Sequence, residues 1–325
     1  MAFCDSIKLE KGMYSVSGKG FTQILEEMDP SENYKGTNLE GLDAYQRQLK
    51  RFNIKVSGEG CDKVEKFFCT PDSAVLFPEF ISRAIKQGIA TCNVIPSITA
   101  ANTIIDGIDY TALSLESSGS SPTAQGIALP EVQITKSKSL VDMKKYGRIL
   151  SSSYESLRFQ NLDVVAVIFK QIGMNMAAEQ LSDAVAVLSE NATTIPVATS
   201  DTITYDDLLN LWASFGAYQP NVMIANNSTI KSLLTLPQMQ DSVAGLGFHG
   251  TGKLVTPIGA QLIMGSTVED GKILAIDKNF ALQMIQAGDI VVEYDKVIDK
   301  QLGRATVSVT TGFSKICGDA VKLLG

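Results

Sequence analysis

The sequence predicts a mixed α and β fold, of the α/β or α+β class, with room for about two domains. Three observations carry this expectation. The chain has 325 residues, 45% of them hydrophobic, enough to bury a substantial core. A segment from about 161 to 189 keeps apolar residues at helical spacing along its whole length. The stretch 89–115 is rich in isoleucine, threonine and valine, and further strand-like runs follow one another between Leu254 and Lys315.

In chain order, residues 1–75 are more polar than the rest and read as a separate arm. Within it Leu39–Phe52 predicts a short amphipathic helix, with Leu42, Tyr45, Leu49 and Phe52 on one face. So short a helix is marginal alone in water and needs a docking surface, on its own chain or on a neighbour. Ala74–Gly88 predicts a second helix, with Pro78 in its first turn and Gly88 as its stop. Residues 116–127 form a flexible small-residue segment.

Leu129–Leu150 predicts a long polar hairpin whose strands are Glu131–Lys138 and Lys144–Leu150. It is too polar to fill a core, so it is either mobile or made to lie on another subunit. Lys136, Lys138, Lys144, Lys145 and Arg148 concentrate positive charge there. Two readings stand: an exposed edge protected by lysines, or a surface that meets an acidic patch on a neighbouring copy.

Asn161-Leu-Asp163 offers an N-cap and an acidic first turn for the long helix. Val165, Ile168, Phe169, Ile172, Met176, Leu181, Val185 and Leu188 form its inward stripe, and Gly173 is a point where it can bend. At 1.5 Å per residue it runs roughly 40 Å. Residues 191–202 read as a linker and domain boundary. Helices are expected at Tyr205–Phe215 and Ser228–Leu236, and strands at Asn221–Ala225, Leu254–Met264, Lys272–Ile276, Leu282–Ile285, Ile290–Tyr294 and Arg304–Lys315. A glycine-rich loop, Gly245–Gly252, lies between them.

Composition excludes several function classes. The net charge is −7, and basic residues are interspersed with carboxylates and form no basic tail. Tight sequence-reading of DNA is therefore not expected, whereas merely surrounding nucleic acid is compatible. Cys4, Cys61, Cys69, Cys92 and Cys317 are scattered, with no C-x-x-C pair, and fit reduced thiols better than disulfides or zinc. The N-terminus lacks the build of a signal peptide, and apolar runs such as Val164–Phe169 are too short to cross a bilayer. A soluble protein, intracellular when made, is expected.

Two nucleotide signatures almost occur. Gly245-Leu-Gly-Phe-His-Gly250 matches G-x-G-x-x-G as a string, but it neither leaves a strand nor opens a helix. Gly247–Lys253 approaches a phosphate-cradling loop, but Leu254 replaces the magnesium-binding hydroxyl and Pro257 blocks the helix. His249 is the single histidine, so multi-histidine metal sites are excluded. The carboxylates are dispersed, and no catalytic, cofactor or metal site is expected.

The order of elements resembles the tailed-bacteriophage major capsid proteins of the Hong Kong ninety-seven type fold, over about residues 75–325. Leu76-Phe-Pro-Glu-Phe-Ile-Ser-Arg-Ala-Ile85 is similar to the family's segment after the arm. Ile149-Leu-Ser-Ser-Ser-Tyr-Glu-Ser-Leu157 is similar to its entry into a spine helix. Asn221–Asn226, Pro257–Gln261 and Ile276–Ala281 resemble its axial-domain strand, glycine–proline turn and late strand.

The resemblance implies an α+β subunit with an N-terminal arm (1–75) and a peripheral domain (76–202). That domain would hold an extended loop (about 105–153) and the spine helix (about 161–189). An axial domain (203–289) and C-terminal strands returning to the peripheral domain (290–325) would complete it. It also implies hexamers and pentamers in an icosahedral shell around double-stranded DNA, with Gly245, Gly247, His249, Gly250 and Gly252 near the five- and six-fold axes. This wider pattern favours an intersubunit role for the lysine-rich hairpin.

Some members join a hairpin lysine covalently to a neighbour's asparagine. Residues 290–325 contain no asparagine, so a non-covalent shell is expected. Residues 1–75 lack heptads, which points to a separate scaffolding protein and a retained arm; a portal is a further expected partner, and a membrane is not. Assembly would take place in the host cytoplasm. The alternatives are an encapsulin-like nanocompartment shell and, more remotely, a nucleotide-dependent enzyme using residues 245–253.

Overall fold

The computed structural model describes residues 6–15, 19–116, 124–126, 133–198, 203–240, 254–297 and 302–325. In chain order the helices are α1 (Phe21–Met28), α2 (Ala44–Arg51), α3 (Pro71–Ala74), α4 (Phe77–Cys92), α5 (Tyr154–Arg158), α6 (Leu162–Ser189), α7 (Tyr205–Ala213), α8 (Asn227–Leu234) and α9 (Pro237–Gln240). The first strands are β1 (Ala101–Ile105), β2 (Thr111–Glu116), β3 (Gln133–Leu140), β4 (Met143–Ser153) and β5 (Thr193–Ile195). The others are β6 (Val222–Ala225), β7 (Gln261–Met264), β8 (Ile273–Ile276), β9 (Leu282–Val297), β10 (Leu302–Lys315) and β11 (Val321–Leu324). The chain divides into two compact units: residues 1–93, 145–178 and 288–310 form the first, and residues 94–144, 179–287 and 311–325 the second.

The first unit gathers its core around aromatic side chains. Phe67, Phe77 and Phe80 are buried with Val165, Phe169 and Met176 of α6 and with Ala305, Val307 and Val309 of β10. Within this unit the strands lie in the order β9, β10, β4. The stretch set apart as an arm by its average polarity contributes to the same core through Leu9, Phe21, Leu25, Tyr45, Leu49, Ile54 and Val64. Averaging hid these residues because they are single apolar positions spaced among polar ones, on short helices and in the turns between them. α2 begins at Ala44 rather than Leu39, because the Asp43 side chain accepts from Gln46 N (2.8 Å) while Gln46 Oε1 accepts from Asp43 N (3.0 Å). That reciprocal cap fixes the first turn.

A buried ion pair ties this stretch together. The Arg47 side chain is fully enclosed, and its Nε donates to Asp29 Oδ2 at 2.8 Å. The carbonyls of Asp29 and Leu42 and the Ser31 hydroxyl accept the other guanidinium protons, and Tyr34 donates to Asp29 Oδ1. The guanidinium also lies over the Tyr34 ring at 4.4 Å. Each guanidinium nitrogen therefore has an acceptor, and Glu26 Oε2 adds a second carboxylate 3.5 Å from Nη2, which together meet the condition for burying an arginine.

Gly88 does not stop α4, which runs on to Cys92. A Cβ at Gly88 would meet the Lys170 carbonyl oxygen at 2.1 Å, and one at Gly173 would meet that of Ile85 at 2.3 Å. These glycines let α4 and α6 approach backbone to backbone. Gly88 is thus a packing glycine and not a terminator.

The second unit is built on a five-stranded mixed sheet, ordered β5-β11-β8-β6-β7. β6 runs parallel to β7 and antiparallel to β8; β11 runs antiparallel to β8 and parallel to β5. All four residues of β6 and of β8 are buried, so the pattern is a continuous apolar run, as expected when both sheet faces are covered. Alternation sorts the faces. Val222, Ile224, Leu274 and Ile276 pack with Val185 and Leu188 of α6. Met223, Ala225, Ile273 and Ala275 pack with Leu208 and Leu211 of α7 and Ile230 and Leu233 of α8.

Several expectations need correction. The supposed hairpin of Glu131–Lys138 with Lys144–Leu150 does not pair with itself. β3 pairs antiparallel with β2 (Leu115↔Ile134, Leu113↔Lys136), while β4 joins β10. The reason is local: Val141 N donates to the Tyr110 carbonyl (2.9 Å), which returns β3 along β2, and β4 must turn Tyr146 into the first unit's core. β9 is one continuous strand where two were expected. β5 lies inside the expected linker 191–202 and is an ordered sheet strand. The C-terminal residues divide as well: 288–310 belong to the first unit and 311–325 to the second, where β11 sits inside the sheet.

Candidate assembly surfaces

β2 and β3 form a two-stranded sheet of their own, separate from both larger sheets. In an antiparallel pair directly opposed residues share a face, and so do residues two apart. Leu113, Ile134, Lys136 and Leu140 therefore lie on one side of this ribbon, and its three apolar members are each more than half exposed. A lone ribbon is marginal in water, and three large apolar side chains on one face ask for a cover.

The basic residues singled out in the sequence fall on two strands. Lys136 and Lys138 are on β3; Lys144, Lys145 and Arg148 are on β4. The Lys138 side chain lies outside the described part of the structure. Lys144 is already engaged: its Nζ lies 2.9 Å from Asp183 Oδ1, and that hydrogen bond raises its pKa. Lys136, Lys145 and Arg148 are exposed. Gly245, Gly247, His249, Gly250 and Gly252 all lie outside the described residues.

A second surface was misread in the sequence. Ile168, assigned to the inward stripe of α6, is 52% exposed, and Val164 (50%), Val167 (62%) and Met174 (40%) share its side of the helix. The signal was present, since the first half of α6 is apolar on nearly every face while only one face can meet the core. The ribbon's apolar face was missed for another reason: Leu113 and Ile134 are far apart in sequence and meet only through the β2–β3 register.

Among the described residues, no three His, Cys, Asp or Glu side chains group as metal ligands, and no helix is long and apolar enough to cross a membrane.

A family model for phage capsid proteins matches residues 136–305, from within β3 to the start of β10. The chain belongs to the phage capsid protein family. Solved structures agree on the fold. The capsid of a native GTA particle is 15% identical, with a TM-score of 0.56, and the likeness covers 72% of this chain and 89% of that one. The virus-like particle from Pyrococcus furiosus is 12% identical, with a TM-score of 0.52, covering 76% of this chain and 98% of that one. No curated protein matches. This phage capsid protein is thus a structural protein of mixed helix and sheet.

Proposed function

We propose that this capsid protein is the major subunit of an icosahedral tailed-phage head, assembling as hexamers and pentamers around double-stranded DNA and catalysing nothing. The observation that carries the reading is the β2–β3 ribbon, whose apolar face has no cover among the described residues of its own chain. Laid on a neighbouring copy, that face buries Leu113, Ile134 and Leu140, while Lys136 and Lys138 add charge-dependent register. Lys145 and Arg148 lie on opposite faces of β4 and add exposed positive charge beside it.

In this reading the first unit plays the peripheral part and the second the axial part, with Gly245, Gly247, His249, Gly250 and Gly252 close to the five- and six-fold axes. The net charge of −7 suits a wall that confines DNA without gripping it. A portal and a separate scaffolding protein are the partners such a shell needs, and the host cytoplasm is where it forms. Each contact is modest, and closure comes from holding every subunit at several places at once.

Electron microscopy of the purified protein across salt and protein concentration tests this. Closed shells or capsomers are expected. A chain that stays monomeric throughout overturns the proposal.

A further inference from the structure

The exposed face of α6 has a pattern of its own. Val164, Val167 and Ile168, Gln171, Met174 and Asn175, and Ala178 recur every three to four residues over four turns, and all are exposed. This is the seam spacing of a helix that packs along another helix. No position in it carries a charge. A partner of opposite charge therefore has nothing to grip, and a like surface meets no repulsion.

Size completes the argument. Four large apolar side chains and one alanine on one helix fall well short of the roughly 1,000 Å² that a free-standing interface needs. The contact can persist only where other contacts already hold the two partners together. A shell of identical copies supplies that condition.

The seam is also self-complementary when reversed. Centred on Gln171, an antiparallel copy sets Val164 against Ala178, Val167 against Asn175 and Ile168 against Met174. Each pair places a larger residue against a smaller or more flexible one, which lets two helices interlock without voids. The two Gln171 amides meet at the centre, where each can donate to and accept from the other.

We propose that the face of α6 from Val164 to Ala178 packs antiparallel against the same face of a second copy, across a two-fold axis that passes by Gln171. The inference rests on the shell reading and adds to it a specific contact between copies. An isologous contact has a signature no other arrangement shares: the residue on the axis meets itself.

The test is Gln171→Cys in the full chain, assembled, oxidised and run on a non-reducing gel beside the parent. The parent is the control for the exposed native Cys69 and Cys92. A dimer absent from the parent, with a 171–171 linkage found by peptide mass spectrometry, is expected. Should that variant fold poorly, Val164→Cys/Ala178→Cys serves instead. Its two thiols lie about 21 Å apart along one helix and can link only between copies.

Shells that form with neither linkage overturn the proposal, and so does an introduced thiol at position 171 that joins a different protein, such as a scaffold. Both outcomes leave the shell reading standing. Absence of shells from the parent chain overturns both.

Discussion

Substituting Gly173 by alanine tests the close crossing of α4 and α6. The added Cβ would lie 2.3 Å from the Ile85 carbonyl oxygen and 2.9 Å from Ile89 N, both backbone atoms that cannot rotate away. Ordinary carbon–oxygen contacts begin near 3.3 Å, so the helices must separate by about 1 Å. That separation loosens Phe80, Ile85 and Phe169 together, since all three belong to the core at this crossing. Overpacking of this kind costs roughly 1–3 kcal/mol, and a clash with backbone lies at the upper end. Alanine's better helix propensity offsets about 1 kcal/mol. The net expectation is a loss of about 2 kcal/mol, or about 4–8 °C in the melting temperature of a unit this size. Urea and thermal unfolding of the unassembled chain measure it. Gly12→Ala, with nothing within 4 Å of the added atom, is the control and should shift stability by less than about 0.5 kcal/mol. A Gly173→Ala chain as stable as the parent would refute the reasoning, because propensity alone would then decide the outcome.

Removing one partner of the buried Arg47–Asp29 pair, by Asp29→Ala, should cost about 3 kcal/mol in urea unfolding, since it leaves a fully enclosed guanidinium with only the more distant, half-exposed Glu26 carboxylate at 3.5 Å. Asp207 is pushed up by burial, but hydrogen bonds from Ala198 N and from the Thr204 hydroxyl and backbone outweigh this and hold its pKa below the ordinary carboxylate value. A depressed folded pKa stabilises above the unfolded value and loses that contribution as pH falls through the folded one. Asp207→Asn should therefore cost about 1 kcal/mol at pH 7, and the gap between parent and variant should close below about pH 4 in a melting series. On the ribbon, Ile134→Glu should change monomer stability by less than about 0.5 kcal/mol yet abolish shells by electron microscopy; intact shells would remove the ribbon from the assembly contacts. Lys144→Ala should matter little to folding, within about 1 kcal/mol, because its pair with Asp183 is exposed.

The sequence made α6 legible almost to its ends, because periodicity over 28 residues with an Asn161–Asp163 start leaves few alternatives. β6 and β8 were legible for a similar reason: buried apolar runs bounded by polar residues read as strands wherever they pair. Pairing itself was not legible. β3 was assigned to β4 by proximity, whereas Tyr110 and Val141 direct it to β2. Gly88 shows the same limit. A glycine near a helix end normally reads as a stop, and only the distance to Lys170 reveals the close crossing. The candidate surface was half visible, since charge is a property of residues, but the shared face of Leu113 and Ile134 is a property of register.

In the proposed shell, folding and assembly draw on different residues of this chain. The contacts that hold each unit, such as Arg47 with Asp29 and the glycine crossing of α4 and α6, are enclosed and tolerate no change in volume. The faces proposed to meet neighbours, on β2–β3 and α6, consist of a few exposed aliphatic side chains each, too little area to hold a partner alone. That division has a physical use. A subunit with strong individual interfaces would lock into whatever contact formed first, and errors in a growing shell could not dissociate. Weak faces let a misplaced copy leave, while a copy held at several faces gains each further contact as an intramolecular event. Weakening one face should therefore reduce shell yield far more than it weakens any single pair of subunits.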